Sequence, residues 1–129
     1  MEKRYLLDSN TVIDYIGGLY PAKTEKWISQ IIDDEINISI ITKIEVLSFA
    51  PDNNDEYLIL LDFFEVANVI ELTSDIANKT IQTRQKQKIK VPDAIIASTA
   101  ITNNQILISR NIKDFKHITG LEIINPYDI

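Results

Sequence analysis

Short apolar-rich runs recur along the chain, each closed by a polar or turn-forming group, with longer segments of helical spacing between them. RYLLD (4–8) stops at Asp-Ser-Asn and reads as a buried strand ending at a cap. INISI (36–40), NVIEL (68–72), QILIS (105–109) and LEIIN (121–125) read as four further strands. TVIDYI (11–16) predicts a short helix closed by Gly17-Gly18, and residues 22–33 predict one that follows Pro21, with Trp27, Ile28, Ile31 and Ile32 at helical spacing. Thr42 opens a helix over 42–49, and the polar turn PDNNDE (51–56) leads into the apolar helix YLILLDFFEV (57–66). Thr73 or Ser74 caps a long helix over 74–88; an Ala/Ile helix spans 93–102, and KDF (113–115) forms a helical turn.

Strands therefore alternate with helices throughout, and several strands are continuously apolar. That combination predicts an α/β fold: a central, mostly parallel five-stranded sheet flanked by helices on both faces. Residues 1–129 show no repeat, low-complexity tract or linker and read as one domain.

Composition narrows the chemistry. The 45% hydrophobic and 25% charged content is that of an ordinary globular chain. No apolar run has membrane-spanning length, and no basic start leads into a signal-peptide core, so the expected compartment is the cytoplasm, with no membrane partner. Cysteine is absent, which excludes disulfides, thiolate zinc sites and cysteine nucleophiles. His117 is the only histidine, which excludes two-histidine acid–base chemistry, and no GxSxG accompanies it. Enzymatic chemistry here would run on carboxylates, which at neutral pH usually act through a metal.

The formal charge of −6 argues at first against nucleic acid, but the charge is unevenly placed. Residues 1–75 carry 15 acidic and 5 basic side chains, whereas residues 76–129 carry 4 acidic and 8 basic. Lys79, Arg84, Lys86, Lys88 and Lys90 lie between Asp75 and Asp93 with no acid among them. A charge run alone is most often a solvated helix face. Its position directly before Asp93 makes it a candidate grip for a phosphate backbone, together with Arg110, Lys113 and Lys116.

Ligands in open α/β sheets bind at the carboxyl ends of strands. Asp8 ends the first strand, and Glu45 stands one turn into the helix after the second, at the edge of its apolar face. Asp93 opens the Ala/Ile helix, and Asp114 follows the fourth strand by five residues. Each has a plain structural role available. Asp8 could cap a helix, Glu45 could pair with a lysine, Asp93 could answer the helix dipole, and Asp114 could be a surface turn residue. If all four converge, the cost is informative, because two carboxylates about 5 Å apart repel by roughly 3 kcal/mol at an effective dielectric of about 20. Such a cluster needs a cation, shared protons or compensating Lys/Arg, and hard oxygen ligation of Mg²⁺ or Mn²⁺ is the natural resolution.

These residues, in LLDSNTVIDY (6–15), ITKIEVLS (41–48), VPDAIIASTA (91–100) and LISRNIKDF (107–115), resemble the PIN-domain ribonucleases, in particular the VapC-type toxins of bacterial toxin–antitoxin pairs. The resemblance spans the whole chain in length and element order. It implies a Mg²⁺- or Mn²⁺-dependent endoribonuclease in which Asp8, Glu45, Asp93 and Asp114 form the acidic quartet that holds the metal. It also implies that Asn10 hydrogen-bonds the first aspartate and that Asn111 belongs to the last motif. Ser109 stands where the family often has threonine, and it still supplies a hydroxyl. Partners implied are an RNA substrate, a second copy of the chain, and a cognate antitoxin whose C-terminal segment covers the acidic site, often with an Arg or Lys. YLILLDFF (57–64) has more apolar surface than one buried stripe needs; it could serve either protein interface, or be buried all round.

Three alternatives bear on the same residues. A receiver-type phosphoacceptor domain would want paired acids after the first strand and a lysine near the fifth, where Asp8-Ser9 and LEIIN stand instead. A phosphohydrolase with an aspartyl nucleophile would want an acid where Asn10 stands. A catalytically inactive PIN-like binding module would keep the architecture without the cleavage.

Overall fold

The computed structural model describes residues 2–49 and 53–129. Its strands are β1 (Tyr5–Leu7), β2 (Asn37–Ser39), β3 (Asn68–Ile70), β4 (Ile106–Ile108) and β5 (Ile123–Ile124). The helices are α1 (Ser9–Ile16), α2 (Ala22–Asp34), α3 (Ile40–Ser48), α4 (Asn54–Val66), α5 (Ser74–Lys86), α6 (Val91–Thr102) and α7 (Ile112–Phe115), and a 3₁₀ turn covers Pro126–Asp128.

All pairings are parallel. β4 lies between β1 and β5, with Leu6 opposite Leu107 and Leu107 opposite Ile123, and β2 pairs with β3. The expected five-stranded sheet is thus present as a three-stranded and a two-stranded ladder. Between them a side chain takes over from the backbone: the Asn37 amide donates to the Tyr5 carbonyl at 3.1 Å, setting β2 beside β1. The resulting order is β3-β2-β1-β4-β5. A receiver-type domain needs β1 beside β3, so the pairing of β1 with β4 removes that alternative.

The continuously apolar strands are explained by burial on both faces. Leu6 and Leu107 point into a layer with Ala94, Ala97, Ala100 and Phe115, whereas Leu7 and Ile108 point into a layer with Val12, Ile28, Ile38 and Phe64. Successive strand residues face opposite sides, so β1 and β4, covered on both faces, are apolar at consecutive positions. In α6, residues 94–100 are all buried, and alanine at 94, 97 and 100 keeps that helix close to the strands.

Several boundaries differ from expectation, and each has a local cause. Helix α3 begins at Ile40 rather than Thr42, because Ser39 is the cap and accepts from the Ile41 N–H. Helix α4 starts at Asn54, since Asn53 caps it by accepting from Asp55 N–H; residues 51 and 52 of the expected turn lie outside the described residues. The α4 helix is not buried all round: Phe63 and Phe64 face the core, while Leu58, Ile59 and Leu61 are exposed. Among the described residues, no helix is long and apolar enough to cross a membrane.

Candidate active site

Asp8 leaves β1 with its own N–H on the Ile108 carbonyl and becomes the N-cap of α1. Its Oδ1 accepts from the Ser9 N–H at 2.9 Å. Its Oδ2 accepts from the Asn10 amide at 3.1 Å and from the Ser109 hydroxyl at 2.7 Å. The proton assignment follows from counting. Ser109 Oγ already receives the Asn10 amide at 3.1 Å and the Asn111 N–H at 3.0 Å, so its own hydrogen is directed at Asp8. Oδ2 is thereby doubly engaged, and Oδ1, with one N–H, keeps acceptor capacity for a cation. Asp8 is both the helix cap and a member of the acidic group.

Asn10 and Ser109 both hydrogen-bond the Asp8 carboxylate. Asn111 contributes through its backbone N–H, and its side chain makes no cap bond to α7. Ser109 is fully buried, so Ser109→Ala would strand the Asn10 amide and the Asn111 N–H without this acceptor. A loss of about 1–3 kcal/mol is expected for such orphaned donors. Urea melts of the two proteins check it.

Glu45 sits half-buried on α3 and accepts from the Ser9 hydroxyl at 2.8 Å. Ser9 therefore joins two of the four acids, through its N–H to Asp8 and its hydroxyl to Glu45. The lysine partner considered for Glu45 is not found among the described residues.

Asp93 is the third residue of α6, behind Pro92, where the helix dipole should favour its charge. Its pKa nevertheless rises to about 6, first from burial and then from the charges of Asp114, Asp8 and Glu45, with Lys90 opposing. A carboxylate serving only the dipole would shift the other way. The other three acids therefore all lie within electrostatic reach of Asp93. Burial likewise raises the Asp8 carboxyl, with Glu45 adding to it, against the lowering effect of the hydrogen bonds from Ser109, Ser9 and Asn10. Asp114 stands exposed in the first turn of α7.

The acids do not form a closed cage. Among the described residues, no three Asp, Glu or His side chains stand close enough together to make a ready metal site. The donor set is nonetheless hard oxygen with excess negative charge. It fits an ion such as Mg²⁺, which keeps several waters and takes only one or two carboxylates directly.

A cleft of about 420 Å³ lies beside this cluster, lined by Arg84, Lys88, Lys90 and Lys113 together with Asp93 and Asp114. Four of the eight cations expected to grip a backbone therefore share a cleft with two of the acids. Arg84 also fastens the α5–α6 turn, its Nε donating to the Ile89 carbonyl at 3.0 Å. The other four line no part of it. Lys86 lines a neighbouring cleft with Lys79 and His117. Arg110 donates its Nε to buried Asp14 at 2.9 Å, an ion pair that the hydrophobic pattern of TVIDYI did not disclose. The one available signal was a charged residue inside an otherwise buried short helix, which demands a partner.

A family model described as PIN domain matches residues 5–121. Ribonuclease VapC1 of Haemophilus influenzae (strain R2866) is 30% identical over 127 residues, covering 92% of this chain and 94% of that protein. Among solved structures, a toxin–antitoxin complex from Klebsiella pneumoniae contains a chain 33% identical to this one, with a TM-score of 0.75 and coverage of 97% and 99% of the two chains. VapBC-1 from nontypeable Haemophilus influenzae is 26% identical with a TM-score of 0.77, covering 95% of this chain and 97% of that one.

Proposed function

We propose, since the chain belongs to the PIN-domain family, that it is a metal-dependent endoribonuclease and the toxin of a toxin–antitoxin pair. The observation that carries this reading is the placing of Asp93 where burial, and then the charges of Asp114, Asp8 and Glu45, raise its proton affinity, beside a cleft lined by four cations. A cluster that resists its own ionisation demands a positive charge, and a cationic cleft next to it suits a polyanion.

Asp8, whose Oδ1 keeps acceptor capacity, and Asp93 would hold a Mg²⁺ or Mn²⁺ ion, with Asp114 beside them. When bound, the ion acidifies water and offsets charge building on the phosphate. Glu45, steadied by Ser9, would orient a water on the α3 side or help hold a second ion. Ser109 and Asn10 hold Asp8 in one orientation, and their hydrogen bonds favour its ionised form against the burial that raises its pKa. Lys88, Lys90 and Lys113 hold the RNA backbone across the cleft, with Arg84 at its edge.

The antitoxin reading rests on the same charge excess, because a guanidinium from a partner can neutralise the acids as an ion would. The exposed apolar residues Leu58, Ile59 and Leu61 of α4, with Ile44 in the middle of α3 and Phe49 at its C-cap, offer contact area for antitoxin or for a second copy of the chain.

The test is cleavage of end-labelled RNA by the purified protein with Mn²⁺ or Mg²⁺. Discrete cuts that disappear with EDTA and in Asp93→Asn are expected. Binding of RNA with no cleavage by the wild type, across transfer, ribosomal and messenger RNA, would instead identify a PIN-type binding module.

A further inference from the structure

Arg110 and Asp14 have no role in the scheme above, yet they form one of the most complete polar networks in the molecule. Asp14 is only 3% exposed, and its Oδ2 receives two donors, Arg110 Nε at 2.9 Å and the Tyr127 hydroxyl at 3.0 Å. Tyr127 arrives from the last turn of the chain, which is fastened separately: its ring packs 5.1 Å from that of Tyr20, and the Thr24 hydroxyl donates to the Pro126 carbonyl at 2.9 Å.

Arg110 touches α1 twice. Its side chain meets Asp14, and its backbone N–H donates to Asn10 Oδ1 at 3.1 Å. Asn10 and Asp14 are four residues apart on α1 and so share one face, one turn above the other. The segment leaving β4 is therefore clamped along α1 at two points. The backbone bond also decides which way the Asn10 amide faces. With Oδ1 held by Arg110 N–H, its Nδ2 must turn to Asp8 Oδ2 and Ser109 Oγ, where it lies 3.1 Å from each.

We propose that Asp14, Arg110 and Tyr127 are positioning residues, a strut that couples the C-terminal turn to the orientation of the Asn10 amide and thereby to Asp8. Arg110 is then no RNA grip. Its charge is matched by a buried carboxylate, so the pair presents little net field to a phosphate, unlike Lys88 or Lys113 in the cleft. The inference rests on Asp8 being a site carboxylate and refines that reading.

Two measurements on the full chain test it. In EDTA, hydrogen exchange of the Asn10 side-chain amide, followed by NMR, is expected to quicken about tenfold in Asp14→Asn and Arg110→Gln, as loss of one hydrogen bond's support implies. With Mn²⁺ and RNA, both variants are expected to lose about tenfold in kcat, as for the outer partners of a metal-site residue, with KM and salt dependence unchanged. Tyr127→Phe should move both readouts the same way by less, and Arg110→Lys should recover part of the loss. Lys113→Gln is the contrast, raising KM and flattening the salt dependence. An Arg110→Gln variant that behaves like Lys113→Gln would make Arg110 an RNA contact and overturn the strut. Unchanged Asn10 exchange in Asp14→Asn, or in Arg110→Gln should the first variant fail to fold, would overturn it equally. If the wild type cuts no RNA but Asn10 exchange responds, the nuclease reading fails and the strut stands.

Discussion

Asp93→Asn is expected to reduce RNA cleavage by about 10³-fold while making the metal-free protein more stable. The catalytic loss follows from removing a carboxylate that holds an ion worth several kcal/mol to the transition state, at 1.36 kcal/mol per tenfold. The gain in stability follows from linkage. Below the ordinary value of 3.8 both folded and unfolded chains keep the proton, and Asp93 contributes no pH dependence. Between 3.8 and about 6 the unfolded chain releases the proton while the folded one retains it, so stability falls as pH rises through that window. Above it the folded state bears the full cost of the charge. Because Asp93 is partly exposed, solvent screening reduces that cost to about 1 kcal/mol. Asparagine never ionises, so the variant should melt about 4 °C above the wild type at pH 7.5 in EDTA and level with it near pH 4. Saturating Mn²⁺ should then reverse the order, adding about 2.7 kcal/mol to the wild type at a hundred times the dissociation constant and little to the variant. Thermal melts at the two pH values, with and without Mn²⁺, decide the matter. A variant no more stable in EDTA than the wild type at pH 7.5 would mean that Asp93 carries no burden of charge.

The double variant Lys88→Glu/Lys113→Glu is expected to bind RNA about 25-fold more weakly at 0.1 M salt. Each cation that neutralises a single-strand phosphate contributes about 0.7 to the slope of log affinity against log salt, so losing two removes about 1.4 units at that concentration. The slope itself should fall by the same amount. Both residues are exposed and line the cleft without a hydrogen bond to the fold among the described residues, so folding stability should hardly change. Filter binding in EDTA over a range of salt separates the electrostatic loss from any effect on cleavage. An unchanged slope would place the RNA away from this cleft.

Much of this was legible in the chain. The strands announced themselves because parallel strands buried on both faces must be apolar at consecutive positions, as Leu6-Leu7 and Leu107-Ile108 are. The four acids were visible because each follows a strand or opens a helix. Asn10 and Ser109 were visible because the resemblance to the PIN family assigns those positions. Helix starts were read less well. Ser39 rather than Thr42 caps α3, since the sequence offers two hydroxyls near the start and only the backbone angles choose between them.

What tertiary structure alone decided is where the charges meet. Chain order marked Asp8, Glu45, Asp93 and Asp114 as candidates, but the burial and the neighbouring acid charges that together lift Asp93 to about 6 exist only once β1, α3, α6 and α7 are packed together. Likewise Arg110 was indistinguishable from Lys113 along the chain, as two cations three residues apart. Folding separated them, bringing Asp14 and Tyr127 from 96 residues before and 17 after to pair the first while leaving the second in the cleft. Periodicity and residue type are local properties and can be read locally. Pairing of charges depends on distances of a few ångströms between residues far apart in sequence, and only the packed fold sets those distances.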